Sequence, residues 1–221
     1  MSAGAANYGP GRSTLYVAPM NLVVALALVA VSFGPAAYVL MLRRAIRCRC
    51  EADGYALTPV GFNWLVNAMW LPLAVNTTWV TAVAQGACVV LVLALLLYVA
   101  RTIRASRWLL AGWVAGGIAL TAVGFAAPIA TAIALIPLEA TQIGLAIRAI
   151  VRSKTAEAVS TSSWVMEFAF YGAFIEESIR GDAMHTAALA CFMASLYVVG
   201  AVVTFNAHRR APATLGIATP V

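Results

Sequence analysis

Residues 108–147 read WLLAGWVAGGIALTAVGFAAPIATAIALIPLEATQIGLAI, apolar almost throughout, with one proline near the centre at Pro128 and a second at Pro137. As one helix, rising ~1.5 Å per residue, this stretch is ~60 Å long, twice the ~30 Å hydrocarbon core of a bilayer. Pro128 is the natural break, because proline fixes φ and has no N–H to give the helix. The stretch therefore divides into two spans, Trp108–Gly124 and Ile129–Ile147, joined by a tight turn.

Working outward, three further apolar blocks precede it: Asn21–Leu42, Leu57–Val75 and Trp79–Ala100. Two follow it, Val159–Glu176 and Ala183–Phe205. With 63% hydrophobic and 10% charged residues, the composition excludes an ordinary soluble domain. The pattern predicts an all-α membrane protein with seven transmembrane helices.

Cations collect in every second gap. Arg43, Arg44, Arg47 and Arg49 follow the first block, and Arg101, Arg104 and Arg107 follow the third. Arg148, Arg152 and Lys154 follow the fifth, and Arg209 and Arg210 the seventh. Of 14 Lys and Arg, only Arg12 and Arg180 fall on the other side. Basic residues favour the cytoplasmic side, so the N-terminus is expected outside and the C-terminus in the cytoplasm. The membrane is the plasma membrane or an endomembrane. The net charge of +6 is then a topology signal, and nucleic acid is not an expected partner.

The leader Met1–Pro19, rich in Gly, Ser and Ala, reads as a disordered tail. Asn76-Thr77-Thr78 is a glycosylation sequon close to the membrane. Cys48 and Cys50 sit on a cytoplasmic loop, where thiols stay reduced. Cys88 and Cys191 read as packing residues.

Sliding the chain by 102 residues places Pro35 on Pro137, Phe62 on Trp164, and Ala56-Leu57-Thr58 on Ala158-Val159-Ser160. The element order is three spans, one extra span, three spans. An odd linker lets two three-helix units repeat in the same orientation, a layout with a solute site between the repeats. The expected organisation is a tail over 1–20, a first three-helix bundle over 21–101 and a linker helix over 102–127. A second bundle over 128–208 and a cytoplasmic tail over 209–221 follow.

On these residues the chain resembles the SWEET sugar transporters and, more broadly, the PQ-loop clan. Pro35, Pro59 and Pro137 match three of the family's four prolines, with Thr161 in the fourth place. Trp70 stands where the family carries a substrate-stacking tryptophan, and Gln85-Gly86 where it carries Asn-Gly. The stretch Arg152–Ser160 is similar to the family's basic loop. The second-repeat tryptophan position falls on Gly172, beside Tyr171, and the second asparagine position on Ala187. The Pro-Gln pair is missing from both halves. The resemblance implies two parallel three-helix bundles and facilitated, alternating-access transport of a mono- or disaccharide.

The residues themselves point to a polar interior. Pro59, Asn63, Asn67 and Trp70 share one face of the second span. Amides in hydrocarbon need partners or water, so this face meets either a solute pathway or neighbouring helices. Glu139 and Glu167 lie deep in their spans, and an intramembrane carboxylate suggests a functional site, often a proton relay. Structural alternatives are a backbone group freed by Pro137 for Glu139, and a helix end for Glu167. Gln142 shares the face of Glu139, while Trp164, Glu167 and Tyr171 form another stripe.

The candidate solute-binding residues are Trp70, Asn67, Asn63, Gln85, Glu139 and Tyr171, with Pro35, Pro59 and Pro137 as hinges. Gly112 and Gly116 have GxxxG spacing, read as packing within the subunit. Homo-oligomerisation stays open. No enzyme signature is present, and neither a metal nor a cofactor is expected. A retinal protein would need a lysine in the last span, whereas Lys154 is on a loop. The alternatives are a proton-coupled carrier of an amino acid or similar solute through Glu139, and a non-transporting receptor or accessory protein.

Overall fold

The computed structural model describes residues 14–47, 57–153, 161–180 and 182–210. Among them are seven helices and no strand. They are α1 (Thr14–Arg47), α2 (Leu57–Val75), α3 (Trp79–Thr102), α4 (Arg107–Ala126), α5 (Pro128–Ser153), α6 (Thr161–Arg180) and α7 (Met184–Arg210). α3, α4, α7 and the Pro128–Arg148 part of α5 are long and apolar enough to cross a membrane. In α2 the apolar run is diluted by Asn63, Asn67, Pro59 and Pro72, and in α6 by Glu167, Glu176 and Glu177.

Every apolar block has become a helix, and α2 has the expected bounds. α1 starts at Thr14, inside the stretch read as an irregular tail. The run Leu15–Met20 is itself apolar enough to extend the helix toward the N-terminus. Cys48, Cys50, Lys154, most of the 152–160 loop and both chain ends lie outside the described residues.

Short joints fix the helix order. Between α4 and α5 only Ala127 is non-helical, with φ −142° and ψ 68°, so Pro128 opens a helix as its first residue, where a missing N–H costs nothing. At the α2–α3 turn, Thr77 Oγ1 donates to the Ala74 carbonyl at 2.6 Å. The Thr78 hydroxyl accepts from Thr81 N at 3.3 Å while Thr81 Oγ1 accepts from Thr78 N at 3.2 Å, a reciprocal cap. Both threonines of the sequon thus close the turn, and Asn76 is exposed. α3 and α6 end on left-handed residues, Arg104 (φ 54°) and Asp182 (φ 55°). The next amide in each returns to the helix: Ala105 N to the Ala100 carbonyl at 2.9 Å, and Ala183 N to Ser178 at 2.8 Å.

The packing has an internal correspondence. α3 packs on α1 and α2, and α7 packs on α5 and α6. Across the middle, α1 meets α6 and α2 meets α5. Exchanging α1 with α5, α2 with α6 and α3 with α7 leaves this set of pairings unchanged. α4 stands apart, resting mainly on α2. There the chain approaches closely at glycines. A Cβ on Gly117 would run into the Trp64 indole, one on Gly61 into Trp113, and one on Gly124 into Pro72. Trp64 Nε1 also donates to the Trp113 carbonyl at 2.8 Å.

The glycines that let α4 approach α2 are therefore Gly61 of α2 and Gly117 and Gly124 of α4. Gly112 of the GxxxG pair has nothing near it, and Gly116 only touches Leu65. The rest of α4 is outward and apolar, with Trp108, Leu109, Ile118, Val123 and Phe125 exposed. Val83, Val90, Ile133, Val199 and Val202 are exposed on other helices. An apolar exterior around a partly polar interior suits a lipid environment.

Candidate functional site

A cavity lies between the two halves, with about 60 Å³ open to the centre of a water-sized sphere. At ~10–15 Å³ per water by that measure, it has room for about four waters. From the first half it is lined by Tyr38 and Met41 of α1 and by Pro59, Val60 and Asn63 of α2. Gln142 and Ala146 of α5 face these, with Ser163, Trp164 and Glu167 of α6 and Tyr197 of α7. The lining thus takes the C-terminal halves of α1 and α5, the first two turns of α2 and α6, and the middle of α7. The cavity belongs to the arginine-bearing end of the bundle.

Two buried polar atoms of its lining residues have no hydrogen-bond partner: the Gln142 amide oxygen and the Trp164 indole N–H. One accepts and the other donates. Trp164 is held by Gly200, where a Cβ would stand 2.6 Å from the indole, and by the Tyr197 ring at 5.5 Å. Glu167 is buried, at 6% exposure, and lies within hydrogen-bonding reach of Tyr38. Among the described residues, no Lys, Arg or His lines the cavity.

Behind it, in the first half, is an amide network. Asn67 Nδ2 donates to the Tyr38 hydroxyl at 3.0 Å and to Asn63 Oδ1 at 2.9 Å. Tyr38 donates to Asn63 Oδ1 at 3.2 Å. Gln85 Nε2 donates to the Asn67 carbonyl at 3.0 Å and to its Oδ1 at 3.2 Å. These bonds tie α1, α2 and α3 together. The shared face read from the sequence is therefore divided: Asn63 reaches the cavity, while Asn67 and Gln85 cross-link helices.

Toward the other end of the helices, Glu139 is fully buried. Its Oε2 accepts from Trp70 Nε1 at 3.2 Å. Its Oε1 accepts from the hydroxyls of Tyr171 at 3.1 Å and Tyr197 at 3.2 Å. An ionised carboxylate only accepts, and all three neighbours supply hydrogens. Trp70 comes from the first half and the tyrosines from the second, so one carboxylate joins α2, α6 and α7 to α5.

Aromatic rings close the space around it. Trp70 meets Tyr171 edge-on at 5.4 Å and Phe174 at 5.1 Å, and Tyr171 stacks on Tyr197 at 5.2 Å. Such pairs add about 0.5–1.5 kcal/mol each beyond burial. Glu139 thus bonds side chains, and not a backbone group freed by Pro137.

The sequence named Trp70, Asn67, Asn63, Gln85, Glu139 and Tyr171, and all six are buried in these two clusters. Only Asn63 of them lines the cavity. Tyr38, Tyr197, Ser163 and Phe174 were missed; the single tyrosine inside each apolar block is the signal that marks Tyr38 and Tyr197. Among the prolines, Pro35 and Pro137 lie within continuous helices, while Pro59 is the third residue of α2. In a first turn no helix bond is lost, so Pro59 makes no break. Pro72 does lie inside α2 and was not singled out. Among the described residues no cluster of His, Cys, Asp and Glu could hold a metal. No protein-family model, curated protein or solved structure matches the chain.

Proposed function

We propose that this chain is a seven-span carrier built of two parallel three-helix repeats with α4 as the linker, moving a small polar solute by alternating access. The observation that carries the reading is the cavity between the halves, whose lining holds an unpartnered acceptor on α5 and an unpartnered donor on α6. Buried polar groups without partners are costly, and a solute that enters and leaves would satisfy them in turn. The matching pairings of α1–α3 and α5–α7 support the repeat. The arginines at one end support a cytoplasmic face there.

The mixed aromatic and amide lining suits a small polar solute, and a sugar is what the family resemblance implies. The test is solute counterflow in proteoliposomes across sugars, amines and amino acids, with and without a pH gradient. Saturable exchange of at least one solute is expected, and it should be lost when Asn63→Trp fills the cavity. No saturable exchange by a monodisperse protein would end the reading. Cysteines introduced near Asn76 and Asp182 should label from outside, and those near Arg104 and at Ala207 should not.

Proton coupling is the second reading, favoured by Tyr197. It lines the cavity and also bonds Glu139, so a single hydroxyl separates the carboxylate from the solute space. In a proton-coupled carrier, Glu139→Gln abolishes uptake driven by a pH gradient and spares exchange. In a facilitator it leaves both comparable.

A further inference from the structure

We propose that the cavity receives a small organic cation, its ammonium group seated on Glu167 among the rings of Tyr38, Trp164 and Tyr197. Among the described residues, Glu167 is the only acidic side chain in the lining, and no basic side chain lines the cavity. A carboxylate buried there would call for an opposite charge or strong hydrogen bonds. Glu139 has three donors of its own, whereas Glu167 borders the cavity and shares the Tyr38 hydroxyl with Asn63.

The rest of the lining suits an ammonium group and not an anion. The unpartnered Gln142 oxygen is a second acceptor for N–H. Three aromatic rings border the same space, and ring faces attract cations. The unpartnered Trp164 N–H needs an acceptor, which a hydroxyl on the solute supplies. An amino alcohol of the size of ethanolamine matches all of these groups at once. Charge on the solute separates it from a neutral sugar, and aromatic walls with few oxygens separate it from a bare metal cation, which prefers an oxygen shell.

Only the transport arm of the test rests on the carrier reading. Full-length protein in nanodiscs is titrated with radiolabelled ethanolamine, using ethylene glycol and glycolate as competitors of similar size. Losing one partner of a buried charge pair is costly, so ethanolamine should bind at least about thirtyfold more tightly than ethylene glycol. Glycolate should not compete. Glu167→Gln should erase the preference, while Glu167→Asp, which keeps the charge, should retain part of it.

Equal competition by ethylene glycol, or no ethanolamine binding, overturns the proposal using wild-type protein alone. An unchanged preference in a well-folded Glu167→Gln protein also overturns it. Tracer sodium that binds through Glu167 while ethanolamine does not would reassign the site to an inorganic cation and overturn it too. In vesicles, counterflow of a neutral sugar in preference to ethanolamine overturns the inference and keeps the carrier. Absence of counterflow for every solute removes the carrier and leaves binding to decide this proposal.

Discussion

The two ends of the interface between the halves are built from the same kinds of residue, with opposite results. At the arginine-bearing end, Glu167, Asn63, Gln142 and Trp164 surround an open cavity, and two of their polar atoms lack partners. At the other end, Glu139, Trp70, Tyr171 and Tyr197 satisfy one another, and Phe174 completes the packing with no exposure. Polar residues in a helical bundle can thus seal an interface or furnish a site. What decides is whether their donors and acceptors match inside the protein.

The largest effect should come from breaking the sealed end. Glu139→Leu leaves three buried donors unmatched, and at about 1–3 kcal/mol each the loss should reach several kcal/mol. Thermal unfolding in detergent should show a sharp fall. Glu139→Gln should be much milder, because its oxygen can face Trp70 while its NH₂ donates to the tyrosine hydroxyls. Equal damage in the two variants would mean that the network does not hold the seal.

Trp70→Phe comes next. It keeps an aromatic body against Tyr171 and Phe174 but removes the N–H to Glu139, leaving a buried oxygen short of a partner at about 1–3 kcal/mol. The same assay measures it, and an unchanged midpoint would show that ring packing alone carries the contact.

Gly200→Ala tests the open end. Its Cβ would stand 2.6 Å from Trp164, and the indole can shift toward the cavity, so stability should fall by no more than about 1 kcal/mol, below the usual overpacking cost. Solute binding or exchange should weaken more than stability does. A large loss of stability would mean that Trp164 has no room to yield. The smallest effect belongs to Gly172→Ala, where nothing lies within 4 Å of a Cβ; stability should stay within about 0.5 kcal/mol.

Gly172 also shows where the sequence stops being legible. The helices could be located, most closely α2, since apolar length is a local property of the chain. Trp70 and Glu139 could be singled out because an aromatic or an acid in a span is conspicuous. Their partnership could not: it depends on how α2 and α5 rotate toward each other, across 69 residues. Sliding by 102 pairs Trp70 with Gly172, yet Gly172 is exposed and Tyr171 meets the tryptophan instead. One residue turns a helix by about 100°, so an alignment correct in order can still miss the facing side chain. For the same reason Tyr38 and Tyr197 gained meaning only from neighbours 29 and 58 residues away.

The single-residue joint at Ala127 has a mechanical consequence. Near that joint α4 is fastened to α2 by Gly124 against Pro72, and a single residue separates the end of α4 from α5. The second half is therefore pinned to the first as one arm of a pair of tongs is pinned to the other, with the pin at the end away from the cavity. A carrier that opened between its halves would find little slack at that point and would have to tilt about it. A tilt of about 10° there would swing the far end of a ~30 Å helix by about 5 Å. The leverage falls where Glu167 and Asn63 wait at the jaws.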